Sequence, residues 1–213
     1  MLLFGNPTLE QLIGLAVALV VGITFHEFSH AFVADQLGDH RTRALGRVSL
    51  NPARHIDPMG ALFLLIAGFG WGRPVPVNGY ALRPGRIGMT WVALAGPIAN
   101  MVVAVVVAVL VRTAHLGGLD LLVSGTIGLI LVYIVFYNVV LALFNLIPIP
   151  PLDGYNIVLP LLPPRTALQV QGYAQYGVIA LLLLIVLSRF GGFNPLGWLF
   201  DGAFQIMRVL LGV

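Results

Sequence analysis

The sequence contains no cysteine and no lysine, and only 9% of its 213 residues are charged. The absence of cysteine excludes disulfide bonds and thiolate metal ligands. A soluble domain has about 25% charged and about 45–50% apolar residues, whereas 59% of this chain is hydrophobic. No basic patch interleaved with aromatic residues lies in a soluble segment, so nucleic acid is not an expected partner. The composition predicts an integral membrane protein surrounded by lipid.

Apolar runs of membrane-spanning length define the predicted helices. Thr8 and Gln11 form a capping-box pattern that begins the first helix, and Gly38 fits a C-terminal stop just after residue 37. A span needs about 20 residues. The runs of sufficient length are 9–37, 88–111, 121–146 and 166–187. The run 59–71 is too short, so we expect it to enter and leave the membrane on one side.

The remaining segments complete the predicted architecture. Residues 46–52 and 73–79 look extended and are closed or punctuated by proline, so we expect them to pair as a small membrane-associated β region. A last helix is predicted to begin at Asn194. The fold class that follows is an all-α polytopic membrane protein with about four to six membrane segments. Residues 1–213 are expected to form a single domain.

Two histidines and a glutamate interrupt the first of these spans, in the order His26-Glu27-Phe28-Ser29-His30. An ionisable group at mid-membrane costs roughly 2.5–3.5 kcal/mol on insertion scales. On a helix, His26 and His30 lie on one face and can share a metal ion, while Glu27 stands where the general base of a zinc protease takes a proton from water. The alternative is a structural polar cluster, which lipid disfavours because each group needs a partner.

The distribution of arginine predicts the orientation of the chain. Seven of the 11 arginines lie between residues 41 and 86, whereas the loop 113–120 has only Arg112 at its border. If the run 59–71 does not cross, the positive-inside rule places the arginine-rich side in the cytoplasm. His30 and Asp153 then approach from the same, cytoplasmic half of the bilayer. We therefore expect a multi-pass protein of the cell membrane.

A catalytic zinc site uses three protein ligands and leaves one position open. The candidates for the third ligand are His40, His55, His115, Asp35, Asp57, Asp120 and Asp153. Topology places His115 and Asp120 on the far side, and we expect Asp35 to be a surface group at a helix end. Asp153 is favoured because the preceding prolines fix it at membrane depth and Gly154 permits close backbone approach. An ordinary turn aspartate is the alternative reading of Asp153.

The chain resembles the site-2 protease family of intramembrane zinc metalloproteases. The resemblance is carried by His-Glu-Phe-Ser-His at 26–30 and by the segment Asn-Leu-Ile-Pro-Ile-Pro-Pro-Leu-Asp-Gly at 145–154, in the right order on the right spans. The segments 51–58, 71–78 and 95–97 are similar to those of small bacterial and archaeal members without PDZ or CBS domains. One departure from the family pattern is Tyr155-Asn156, where small or basic residues are expected.

The resemblance implies both a site and a reaction. His26, His30 and Asp153 would bind zinc, with one ion per chain. Glu27 would activate water as the general base, and Asn145 would donate a hydrogen bond to the substrate carbonyl or oxyanion. The implied partner is a transmembrane protein substrate, cleaved in or near its membrane segment. These expectations define an intramembrane zinc endopeptidase.

Two other functions fit parts of the pattern. A membrane metal-binding or transport protein without hydrolytic activity would need polar groups along a path across the bilayer, and few occur in the predicted non-cytoplasmic half. An inactive member that binds transmembrane helices would not need Glu27. His55, beside Asp57, fits either gating and substrate contact or a hydrogen bond that stabilises a turn.

Overall fold

A computed structural model describes residues 6–67, 70–119, 124–190 and 194–213. The helices in chain order are α1 (Leu9–Gln36), α2 (Arg41–Ala44), α3 (Pro58–Ala67), α4 (Arg86–Leu116), α5 (Gly125–Asn145), α6 (Asp153–Val158), α7 (Pro164–Gly172), α8 (Gly177–Phe190) and α9 (Pro195–Leu211). Single turns of 3-10 helix lie at Pro52–Arg54, Gly79–Ala81, Leu159–Leu161 and Ala174–Tyr176.

Three helices, α1, α4 and α5, are long and apolar enough to cross a membrane. The pair formed by α7 and α8 makes a fourth candidate if the two count as one broken span. Large apolar side chains on α4, such as those of Ile98 and Val102, are 55% exposed. An apolar outer surface of this kind suits lipid. The described residues therefore contain three or four candidate spans, at or below the lower end of the predicted four to six membrane segments.

Helix α1 begins and ends close to where its sequence signals predicted. The Thr8 side chain accepts a hydrogen bond from the Gln11 amide, and the Gln11 side chain accepts one from the Thr8 amide, which is the predicted capping box. The helix ends at Gln36, and Gly38 follows with a φ of 117°. That backbone conformation favours glycine. Both predicted boundary signals are confirmed.

The three long helices pack on one another through small and β-branched residues. Ala18 of α1, Val103 of α4 and Ile134 of α5 form one buried cluster. A second cluster joins α4 and α5 to α9 through Ala104, Val135 and other small or medium-sized side chains. Side chains of this size allow close approach of helices in a membrane. The bundle thus presents a fixed inner face on α1, where the two histidines lie.

The predicted span 166–187 is not one continuous helix. Helix α7 ends at Gly172 and α8 begins at Gly177, with a bend of 40° between the two. Glycine is about 1 kcal/mol less favourable than alanine inside a helix, and it stands on both sides of this break. A Cβ at Gly177 would also collide with backbone and side-chain atoms of Pro150. The break lets the proline segment pack against the start of α8.

The short run 59–71 forms helix α3 and returns beside it. Helix α3 has ten residues, about 15 Å at 1.5 Å per residue. The Trp71 backbone lies so close to Gly60 that a Cβ there would overlap it, and the rings of Phe63 and Trp71 are 5.4 Å apart. The segment therefore comes back to the beginning of its own helix, as expected of a stretch too short to cross.

The predicted pairing of 46–52 with 73–79 is absent from the described residues. A single antiparallel bridge joins Ile56 to Gly72 instead, and the Arg73 amide donates to the His55 carbonyl at 2.6 Å. Pro74 and Pro76 have no amide hydrogen, so one edge of their segment cannot donate to a ladder. Arg47 of the first segment donates to the Arg73 carbonyl of the second, but no ladder joins the two among the described residues.

A buried carboxylate attaches the segment 73–78 to the end of α1. Asp39 is 1% exposed and accepts hydrogen bonds from Arg41 Nε at 2.8 Å, Arg41 Nη2 at 3.1 Å and the Asn78 amide at 2.6 Å. The hydrogen bonds from Arg41 lower the pKa of Asp39 against the opposing effect of its burial. Asp39 is therefore charged whenever the protein is folded near neutral pH.

Replacing Asp39 with Asn should lower the free energy of unfolding by about 1.5–3 kcal/mol, the range for hydrogen bonds to a charged group. Because the folded-state pKa is lowered, this stabilisation is present above the ordinary pKa of about 3.9 and is lost as the pH falls through the lower folded value. Unfolding in denaturing detergent at several pH values measures the difference. The exposed Asp201→Asn is the control; an equal effect of both variants would contradict this account.

Candidate metal centre and active site

Three side chains from distant parts of the sequence meet inside the bundle. Nε2 of His26 lies 3.0 Å from Nε2 of His30, and Oδ2 of Asp153 lies 3.0 Å from the former and 3.2 Å from the latter. This is the one group of potential metal ligands found among the described residues. Ligand atoms about 2.0–2.1 Å from a tetrahedral zinc ion are about 3.3 Å apart. The spacing of the three atoms fits such a site.

Local structure explains how Asp153 reaches the histidines. It is the first residue of α6, after a proline-rich turn in which the Leu152 amide donates to the Ile149 carbonyl at 2.9 Å. A Cβ at Gly154 would collide with the carbonyl oxygens of Leu146 and Ile147. Only glycine allows this turn to fold back onto the end of α5. Asp153 is thereby held against one face of α1.

A network of amides indicates which ring nitrogen of His26 carries the proton. Both N–H groups of Asn100 are used, since its Nδ2 donates to the Gly22 carbonyl at 3.0 Å and to Oδ1 of Asn138 at 2.9 Å. Asn138 Nδ2 in turn donates to the Ile134 carbonyl at 2.8 Å. The Asn100 oxygen must then accept from His26 Nδ1, 2.7 Å away. In the neutral ring, His26 Nε2 then carries the lone pair.

The same reasoning applies to His30, and it defines the chemistry of the centre. His30 Nδ1 lies 2.7 Å from the Val92 carbonyl, which can only accept, so His30 Nε2 also presents a lone pair. Asp153 Oδ2 is buried and has no hydrogen-bond partner among the described residues. When both rings are neutral, three acceptors face one another in this group. Buried polar atoms need partners, and a cation that prefers nitrogen and oxygen ligands, such as zinc, fits all three.

Gly96 leaves the space in front of the two rings. A Cβ at this position of α4 would lie 2.5 Å from His30 Nε2 and 2.7 Å from His26 Nε2. No side chain larger than hydrogen fits there without displacing a histidine nitrogen. Helix α4 can consequently lie close to α1, where its Val92 carbonyl contacts His30 and its Asn100 side chain contacts His26.

Glu27 lies beside the three-residue group, where α1 faces the segment that follows α3. Its Oε2 is 3.9 Å from Nη2 of Arg47. A Cβ on Gly72 would lie 3.4 Å from its Oε1, in ordinary contact. Glu27 follows His26 directly on α1, about 100° further round the helix, so its carboxylate lies between the histidine face and this second surface. Asn145, the other predicted catalytic residue, donates from Nδ2 to the Leu141 carbonyl of its own helix at 3.0 Å.

The other candidates for the third ligand have different partners. His40 lies 3.0 Å from Asp35, and Asp57 accepts from the amides of Met59 and Gly60 at the start of α3. Asp35 is 2% exposed, so its predicted surface position is wrong. Arg43 donates to the Asp35 carboxylate at 2.7 Å and compensates its burial. Asp120 lies outside the described residues.

His55 is fully buried, and its Nε2 lies 2.6 Å from the Ser49 carbonyl, a contact between two parts of one turn. Burial lowers the pKa of His55, which favours the neutral ring. These contacts favour the turn-stabilising interpretation over substrate contact.

Sequence reasoning missed three residues around the site. Asn100 and Asn138 are fully buried in apolar helices, and Arg47 is 6% exposed. A polar residue inside a predicted span is costly and points to a specific partner, so Asn100 and Asn138 could have been singled out. Arg47 lies in an arginine-rich loop, and no sequence signal separates it from its exposed neighbours.

A helix bundle with apolar outer faces and an inner His-His-Asp group defines a membrane metalloprotein. Comparison with known proteins identifies the family of this metalloprotein. The protein-family model described as "Peptidase family M50" matches residues 14–186 of the chain. The chain is 40% identical over 174 residues to "Putative zinc metalloprotease YwhC" of Bacillus subtilis (strain 168), which covers 81% of this chain and 80% of that protein.

Two further relatives are both named "Putative zinc metalloprotease Rip2". The protein from Mycobacterium tuberculosis (strain ATCC 25618 / H37Rv) is 32% identical over 190 residues, 85% of this chain and 71% of its own. The one from Mycolicibacterium smegmatis (strain ATCC 700084 / mc(2)155) is 33% identical over 204 residues, 89% of this chain and 75% of its own. No solved structure matches the chain. The chain belongs to peptidase family M50, and the predicted zinc metalloprotease of the membrane is confirmed.

Replacing Gly96 with Ala should strongly reduce zinc retention, because the added methyl group occupies the space in front of both ligand nitrogens. We expect zinc per chain to fall below about half in purified Gly96→Ala protein that remains folded. Gly202→Ala in α9 is the matched control, since a Cβ there meets nothing within 4 Å. Full zinc content in Gly96→Ala would show that the ion does not lie against this glycine.

Proposed function

We propose that this protein is an intramembrane zinc endopeptidase that hydrolyses peptide bonds in or near transmembrane segments of membrane protein substrates. The observation that carries the proposal is the convergence of the two Nε2 atoms and Asp153 Oδ2 on membrane-spanning helix α1, with Glu27 next to them. We further propose one zinc ion per chain and a single catalytic domain formed by residues 1–213.

The residues of the site divide the chemistry among them. His26, His30 and Asp153 hold the zinc, which when bound supplies a Lewis acid for the scissile carbonyl and its attacking water. Glu27 takes the proton from that water at its carboxylate and returns it to the leaving amine nitrogen. Asn145 donates a hydrogen bond to the substrate carbonyl, which replaces its present hydrogen bond to the Leu141 carbonyl.

A transmembrane substrate must unwind before cleavage, because a helix shields its own carbonyls. Residues 75–77 offer an edge for the exposed strand. Within the described part of the chain, the amides of Val75 and Val77 have no hydrogen-bond partner. Residues two apart in an extended segment donate toward the same edge, so these two amides share an edge, whereas Pro74 and Pro76 have no donor for the other one. Residues 48–50 offer a second edge nearby. An extended peptide adds to such an edge through main-chain hydrogen bonds.

We propose a multi-pass arrangement in the cell membrane with the site in the cytoplasmic half. The return of Trp71 to Gly60 supports a placement of residues 41–86 on one side of the bilayer, and this part carries seven of the 11 arginines. The positive-inside rule makes that side cytoplasmic. His30, six residues before the end of α1, lies about 9 Å from it.

Replacing Glu27 with Gln should reduce cleavage of a model transmembrane substrate at least about 100-fold, because a general base contributes about 10²–10⁴. Zinc content should stay near one per chain, since Glu27 is not a ligand. Glu10→Gln, the other glutamate of the chain, is the control and should cleave normally. Undiminished cleavage by Glu27→Gln would overturn the proposed mechanism, and cleavage absent from the wild type would favour a non-hydrolytic metal-binding protein.

A further inference from the structure

Arg47 is the one buried arginine among the described residues. Taking a guanidinium out of water is costly unless it is paired and hydrogen-bonded. Its burial lowers the pKa of Arg47, and the nearby Glu27 carboxylate opposes that effect. The other arginines described by the structure with carboxylate partners, such as Arg43, have exposed side chains. The fold therefore places this particular charge in the interior, next to the proposed base.

The Arg47 guanidinium joins two chain segments. Nη1 donates to the Arg54 carbonyl at 2.6 Å, and Nη2 donates to the Arg73 carbonyl. These carbonyls belong to the turn before α3 and to the segment after it. The same two segments are linked by the Arg73 amide, which donates to His55, and by the bridge from Ile56 to Gly72. A planar group with several fixed donors suits this double attachment.

The Glu27 carboxylate lies between Arg47 and the attached backbone. Arg47 Nη2 is 3.9 Å from Oε2, whereas Gly72 approaches the Oε1 side. A Cβ on Gly72 would come within 2.8 Å of Ile23 and 3.2 Å of the His55 carbonyl, so the backbone passes directly over this part of α1. The side chain of Glu27 is 14% exposed.

We propose that Arg47 is a positioning residue for the reaction, which holds the Glu27 carboxylate in place by charge and fixes the backbone around Gly72 against it. This inference rests on the proposed role of Glu27 as the base. The hydrogen bonds and ion pair of Arg47 among the described residues go to Arg54, Arg73 and Glu27, and not to the ligand group or to residues 75–77. Its effect is on the rate of the catalytic step, because a misplaced base transfers the proton less efficiently.

Two substitutions of Arg47 separate positioning from mere attachment of the loop. Arg47→Gln keeps an amide donor and loses the charge, whereas Arg47→Lys keeps the charge and loses the planar fork. We expect Arg47→Gln to lower kcat about 100-fold with KM within about threefold, and Arg47→Lys to recover about tenfold of that loss. Zinc content should stay near one per chain in both. Arg43→Gln, which removes an arginine paired with buried Asp35, is the control and should keep normal kcat.

A structural role alone predicts a different result. Both variants would then lose activity equally, through KM or through stability, and Arg47→Lys would give no recovery. That outcome, or a kcat of Arg47→Gln within threefold of wild type, would overturn the inference. The Glu27→Gln variant then shows which proposal has failed. If it cleaves normally, Glu27 is not the base; if it is inactive, Glu27 keeps that role and only the inference about Arg47 is overturned.

A spectroscopic measurement tests the same contact without an activity assay. The chain has two glutamates, so carbon-13-labelled glutamate in a Glu10→Gln background gives one side-chain carboxylate resonance, that of Glu27. Arg47→Gln should shift this resonance, Arg47→Lys should shift it less, and Arg43→Gln should leave it in place. An unchanged resonance in folded Arg47→Gln would show that Arg47 does not position Glu27.

Discussion

Polar groups inside an apolar bundle are stable only when each has a partner, and this constraint governs the arrangement around His26. Asn138, Asn100 and His26 form a chain of hydrogen bonds across α5, α4 and α1 in which both N–H groups of the Asn100 side chain are used. The bonds that join the three membrane helices also direct the His26 lone pair toward Asp153. Helix packing and ligand orientation therefore depend on the same few side chains.

Much of the site is predictable because its chemistry leaves local signals. The spacing of His26 and His30 on a helix requires no knowledge of the fold, and the capping box and Gly38 fix that helix in the sequence. Asp153 could be singled out because it stands between a proline-rich turn and Gly154. The structure shows why glycine is needed there, since a Cβ would collide with the carbonyl oxygens of Leu146 and Ile147. The return of the short run 59–71 follows from its length alone. These features depend on neighbours in the sequence, so a single chain reveals them.

The features that were missed depend on partners far away in the sequence. Asp35 was predicted to be a surface group because its partners are not evident from the sequence. The turn after α1 brings His40 and Arg43 back to it, and they pair with its buried carboxylate. The bend between α7 and α8 accompanies the close contact of Gly177 with Pro150. Hydropathy carries no information about such a contact. The expected β pairing fails because prolines remove donors from one segment, while Arg47 and the Ile56–Gly72 bridge hold the segments together in another way.

The central claim is that His26, His30 and Asp153 form one zinc site. Zinc content per chain, measured by elemental mass spectrometry on purified wild-type and Asp153→Ala protein, tests it most directly, with Asp201→Ala as the control for an exposed aspartate. We predict close to one zinc ion per chain in the wild type and the control, and a large loss in folded Asp153→Ala. Full zinc content in Asp153→Ala would contradict the account.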